Sequence, residues 1–190
     1  LGSRSKLTER FIAGENLSDA IQVVQSLNAR KIITTLDLLG EGVTVAEEAQ
    51  TATDGYIRLL EAIAENKINS SISIKLTQLG LDIREGACRD NLDRILETAE
   101  RLDNFVRIDM ESSAHTQRTV ELFDQAFARV GPKHVGIVIQ SDLHRSEADV
   151  RRLSAMGCNI RLCKGAYKEP PSIAFQKKQD VDRSLVRLIK

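Results

Sequence analysis

The chain of 190 residues is 42% apolar, contains no Trp, and balances 27 Lys and Arg against 27 Asp and Glu. That length and apolar content suffice for one domain with a sizeable core, and the charge balance gives no reason to expect a nucleic acid, an anionic membrane surface or an acidic protein as partner. Cys88, Cys158 and Cys163 are widely spaced, with no CxxC and no histidine at ligand spacing. They argue against a disulfide framework and against a zinc site, and they fit a reducing cytosol.

No apolar run approaches the roughly 20 residues of a membrane-spanning helix, and the amino-terminal stretch LGSRSKLTERF lacks the apolar centre of a signal peptide. The chain begins at Leu1 and runs out at Lys190 inside a helical pattern, so a piece of a larger domain is expected.

In chain order, the first element is a helix, LSDAIQVVQSLNARK. Five β-rich runs follow, ITTLDLL, SISIKLT, NFVRIDM, VGIVIQ and NIRLCKG, and each precedes a helix. Those helices are predicted near 44–67, 88–103, 115–130, 146–156 and from 172 to the end. Ser146 before EAD has the chemistry of an N-cap, while Gly131 and Gly157 stand where helix C-caps belong. With no linker or low-complexity stretch, residues 1–190 form a single domain or part of one.

Strands that alternate with helices imply an α/β protein with a parallel sheet, either open and doubly wound or closed as a barrel. Neither GxGxxG after the first strand nor GxxxxGK[ST] is present, which weakens the nucleotide-binding open sheet. The barrel is favoured by polar residues near the carboxyl ends of successive strands, where barrel enzymes build their sites. Strand alternation places Asp37, Lys75, Asp109, Gln140 and Arg161 toward one shared interior, with Ser71 and Ser73 on the face of Lys75, and Arg107 on that of Asp109. Two acids and two bases in one ring would offset the cost of burying each alone. Lys164, Gly165 and Ala166 add backbone N–H groups and small side chains just past a strand, a place that a phosphate can approach.

The segments SISIKLTQLGLD, VRIDMES, VGIVIQSDLHRSEAD and IRLCKGAYKEP, with RFIAGENL and TLDLLGE upstream, together resemble the catalytic domain of the monofunctional proline dehydrogenase family. The resemblance covers nearly the whole chain and implies a distorted (βα)8 TIM-type barrel, of which about five βα units are present. It implies oxidation of L-proline to 1-pyrroline-5-carboxylate, with hydride transfer to FAD and onward electron transfer to a membrane quinone, in a cytoplasmic protein peripheral to the bacterial inner membrane, without metal or nucleic acid.

By motif, Lys75 would contact the proline carboxylate and Asp109 would organise neighbouring cations. Met110 would lie against the flavin, and Gln140 and Arg161 would bond its ring system, with Arg161 facing developing charge. Lys164, Gly165 and Ala166 would line the cofactor's linker and pyrophosphate. Tyr167 fits either substrate packing or an ordinary core, and Cys163, on the face of Arg161, fits a small buried thiol. Asp142 departs from the aromatic or apolar residue common in the family. His144 is expected on a surface loop, His115 at a helix start and His134 before a strand. The family's late helix with its paired arginines would lie beyond Lys190, so the isolated chain is expected to be poorly stable and nearly inactive. Two other readings stay open: an aldolase-like barrel with a Schiff base on Lys75 or Lys164, and a barrel-derived binding module without catalysis.

Overall fold

The structure is a computed structural model and describes residues 12–14 and 16–190. The signal-peptide reading of the amino terminus therefore lies outside the described residues, as do Arg10, Phe11 and Glu15 of RFIAGENL. In chain order the elements are α1 (Leu17–Ala29), β1 (Thr34–Asp37), α2 (Ala46–Glu65), β2 (Ser70–Ile74), α3 (Glu85–Arg101), β3 (Val106–Ile108), α4 (Ser113–Val130), β4 (Val135–Gln140), α5 (Ser146–Ala155), β5 (Asn159–Cys163) and α6 (Lys178–Ile189).

The strands form one sheet in the order β1-β2-β3-β4-β5, and every neighbouring pair is parallel. A doubly wound sheet reverses its strand order, whereas sequential order through right-handed crossovers puts all the helices on one face. This arrangement is an arc of a βα barrel, as the sequence predicts. The face toward the helices carries Ile72, Ile74, Val106, Ile108, Val135, Ile137 and Ile139, all buried together with Tyr56, Leu60, Leu92, Leu96 and Phe123. Burial of such side chains stabilises by roughly 1.5–3 kcal/mol each relative to exposure, so this layer is the main source of cohesion. No helix among the described residues is long and apolar enough to cross a membrane.

The opposite face is polar and cross-linked. Thr35 and Ser71 hydroxyls meet at 3.0 Å, and the Arg107 guanidinium donates to Ile137 O (3.3 Å), Asn159 O (2.7 Å) and Asn159 Oδ1 (2.7 Å). Gly136, paired with Arg107 across β3 and β4, leaves room for that guanidinium. A Cβ at Gly136 would meet Arg107, and would lie 2.6 Å from Asn159 O and 2.6 Å from the Phe105 ring.

Several boundaries differ from the sequence reading. Strand β1 covers only Thr34–Asp37, and Lys75 and Asp109 lie just past β2 and β3 rather than inside them. The last helix starts at Lys178, not near 172: Phe175 N–H donates to Asp142 O (2.8 Å) and His144 N–H to Ile173 O (2.9 Å), while Leu143 bridges Ala174. These bonds tie residues 173–175 to the β4–α5 turn instead of to a helix. Ser146 is the first residue of α5 and not its cap; its hydroxyl donates to Gln140 O (2.5 Å), and Arg145 precedes the helix without a capping side chain. Gly131 caps α4 with φ 71°, a left-handed value that glycine adopts at no steric cost, and Gly157 with φ 76° follows α5.

Candidate active site

Parallel strands in register bring their carboxyl ends to one rim, so residues far apart in sequence become neighbours there. Lys75 Nζ is 2.8 Å from Asp37 Oδ2 and 3.8 Å from Asp109 Oδ2. Asp109 Oδ1 accepts from Ser73 Oγ (2.6 Å) and from the Arg161 guanidinium, which also reaches Ser73 Oγ at 3.3 Å. The result is a ladder of alternating charge, Asp37, Lys75, Asp109, Arg161, running from β1 to β5. Its members are part-exposed, from 18% for the Asp109 side chain to 43% for Arg161, so water tempers every pairing.

Beside the ladder lies a cavity of about 310 Å³ lined by Asp109, Met110, Val138, Gln140, Arg161, Cys163, Lys164, Gly165, Ala166 and Tyr167. It contains every residue to which the resemblance gives a substrate or cofactor role except Lys75, which joins through Asp109; Asp37 and Arg107 of the shared face stand outside it. Met110 and Val138 are buried and give it an apolar wall. The Gln140 side chain is buried and donates from Nε2 to Met110 O (3.1 Å), which ties the ends of β3 and β4 together. The Lys164 ammonium pairs with Asp182 of α6 at 2.6 Å. Tyr167 donates its hydroxyl to Glu41 Oε2 (3.1 Å), so the loop after β5 meets the loop after β1.

Electrostatics follow from these neighbours. Burial pulls the Lys75 ammonium down, but the hydrogen bond and charge of Asp37, with Asp109 and Glu111 adding, outweigh it and hold Lys75 above the usual lysine range. Burial, assisted by the charge of Arg161, lowers the Arg107 guanidinium to about 10. Burial also raises the Cys163 thiol, which fits a small thiol in the wall rather than a nucleophile.

Sequence reasoning passed over three groups. Tyr56 on α2, wholly buried, donates to Asp37 Oδ1 at 2.8 Å, with the Gln78 amide 2.9 Å from the same hydroxyl. Glu111, 3% exposed, accepts from the Thr77 N–H (3.1 Å) and the Thr77 hydroxyl, and burial pushes its carboxyl up. Thr77 Oγ1 in turn accepts from Gly42 N–H (2.9 Å), which anchors the loop after β1. An apolar-periodic helix hides Tyr56, and only the three-dimensional register reveals the other two.

Asp142, the residue unusual for its position, is 8% exposed, and its Oδ1 has no hydrogen-bond partner among the described residues. It lies against Gly165, whose φ of 95° and contact with this carboxyl both exclude a side chain. His144 is exposed and donates from Nε2 to Pro171 O (3.0 Å); His115 lies in the first turn of α4 and bonds Asp82 (2.8 Å); His134 directly precedes β4. None of the three reaches the cavity.

A parallel sheet in sequential order with acids and bases converging beyond its strand ends defines an α/β-barrel enzyme-type site. Comparison with known proteins makes the class specific. The proline dehydrogenase family model matches residues 20–180. Proline dehydrogenase 2 of Bacillus subtilis (strain 168) is 37% identical over 181 residues, which is 95% of this chain and 59% of that protein. Proline dehydrogenase of Deinococcus radiodurans is 38% identical over 186 residues, 96% of this chain and 60% of that one. Among solved structures, proline utilization A from Bdellovibrio bacteriovorus, inactivated by N-propargylglycine, superposes with a TM-score of 0.83 at 24% identity, covering 96% of this chain and 24% of that one. The chain belongs to the proline dehydrogenase family, and it spans about three-fifths of the length of the curated relatives it matches.

Proposed function

We propose that the protein carrying this chain oxidises L-proline to 1-pyrroline-5-carboxylate at the rim of β2 to β5, with FAD as its cofactor, and passes the electrons to a membrane quinone. It would act in the cytoplasm, against the bacterial inner membrane. The reaction removes a hydride equivalent from the ring carbon beside nitrogen and a proton from the nitrogen; bound FAD supplies the acceptor for the hydride equivalent. The observation that carries this reading is the alternating ladder at one edge of a cavity with an apolar wall.

The donor set suits a flavin. Met110 and Val138 offer a face for a flat ring, Gln140 an amide and Arg161 a cation at its edge, and Gly165 lets backbone come close. A fixed cation favours the electron-rich reduced ring, and Asp109 holds the Arg161 guanidinium in one place. Lys75 meets the substrate carboxylate. Lys164 lines the same cavity, and its pairing with Asp182 means that any phosphate reaching it competes with a carboxylate already there.

The experiment is an anaerobic titration of the FAD-reconstituted protein with L-proline, followed by flavin absorption. Bleaching is expected, and Asp109→Ala or Arg161→Ala should slow it by about two orders of magnitude, the scale of losing one preorganised electrostatic group. Proline-independent spectra would overturn the reading. The aldolase-like alternative needs a neutral amine, whereas Lys75 is held charged and Lys164 is paired. Borohydride is therefore expected to trap no carbonyl adduct on either lysine.

A further inference from the structure

The nearest anion to Lys75 is not Asp109 but Asp37, by 2.8 Å against 3.8 Å. The two oxygens of Asp37 are divided: Oδ2 faces the ammonium, and Oδ1 accepts from the Tyr56 hydroxyl, a side chain fully buried on α2. Burial and then the charge of Asp37 push the Tyr56 phenol far up, so it remains a donor at any working pH. Asp37 is thus an anion fixed from behind by the core, while Asp109 is engaged on its Oδ1 by Ser73 and Arg161.

We propose that Asp37, backed by Tyr56, is the positioning residue that holds the Lys75 ammonium on the β1 side of the rim, where it meets the substrate carboxylate, and that keeps it from collapsing onto Asp109. This rests on the proposed role of Lys75. The groups facing Lys75 are Asp37 from β1, Tyr56 behind it, and Asp109 and Glu111 from the end of β3, with Arg161 of β5 on the far side of Asp109. Without Asp37 the next anion is Asp109 Oδ2, which among the described residues carries no other bond to a cation. The ammonium then moves toward β3, the carboxylate site is lost, and Arg161 shares its counter-ion.

The test has two arms on the FAD-loaded protein. In the first, Lys75 is labelled with a trace of acetic anhydride and quantified by mass spectrometry in wild type and Asp37→Asn. Lys75 then shares with Arg161 an anion already engaged, a weaker pairing than the one lost, so the amine should be several times more reactive, and this readout does not depend on proline. In the second, proline kinetics should show KM raised about tenfold with kcat within about threefold, the pattern of lost placement of a binding group. Tyr56→Phe should give a smaller change of the same kind, with flavin content unchanged in both variants. Unaltered Lys75 labelling, or kcat, flavin content and KM worsening together, would overturn the proposal. Faster labelling in a protein that proline does not bleach would leave the placement standing and sink the proposed activity instead.

Discussion

The oxygen of Asp142 that finds no partner makes a prediction about pH. Burial raises this carboxyl, the Glu169 charge adds, and backbone N–H groups of its own turn oppose them. A carboxyl raised on folding contributes stability that is full below its unfolded value near 4 and is lost as pH rises through the folded value. At pH 7 to 8 the ionised form is the burden, and Asp142→Asn relieves it. The melting temperature of this variant should exceed wild type by roughly 2–4 °C near pH 8, equivalent to about 1 kcal/mol at this size, and the gain should vanish near pH 4. A gain that grew on acidification would refute the assignment. The residue was visible in the sequence only as a departure from pattern; that it presses on Gly165 could not be read there, because the turn after β4 meets the loop after β5 only once the sheet has formed. Asp37 tells a similar story. Alternation identified its face, while its buried partner Tyr56 lies 19 residues away on a helix.

At the scale of elements, all five strands and all six helices of the described region were legible, because a period of two and a period near 3.6 are strong signals when a core-facing stripe must be apolar. Their ends were less so. The start of α6 was misjudged by several residues, since the bonds from residues 173–175 to the β4–α5 turn are long-range and leave no local trace. Ser146 departs from the cap reading for a related reason: its hydroxyl donates to Gln140 O instead of accepting from the N–H groups of a first turn. A tight junction lies at Gly136, where β3, β4 and β5 share Arg107. Gly136→Ala places a methyl against Arg107, Asn159 O and Phe105, and two of these neighbours are pinned by the sheet. Overpacking of this kind costs typically 1–3 kcal/mol, so the variant should lose several degrees of melting temperature and more denaturant resistance than Gly86→Ala. Gly86 lies in α3, where the added carbon meets nothing closer than 3.8 Å.

Across the whole molecule, cohesion is unequal. The middle strands β2, β3 and β4 are covered by buried side chains, while α6 has no buried residue and shows Val186 and Ile189 to solvent. Among the described residues, β1 and β5 each have a strand on one side only. Unpaired edges of this kind are templates for association. Hydrogen exchange on the 190-residue chain should therefore be fastest in α6 and slowest in β3 and β4, and light scattering should show the chain self-associating on warming well before a longer chain that includes further βα units. Slow exchange in α6, or a chain that stays monodisperse, would contradict this picture. The sequence conveyed the arc but not this gradient, which depends on how much of each helix face finds a partner.

Arg107 gives the interior a floor. Its guanidinium reaches from β3 across β4 to Asn159 on β5, deeper than Asp109 and Arg161 by one alternation of the pleat. Between β3 and β5 this cross-link lies beneath the Asp109–Arg161 pair, so whatever seats itself against that pair rests above a second fixed guanidinium.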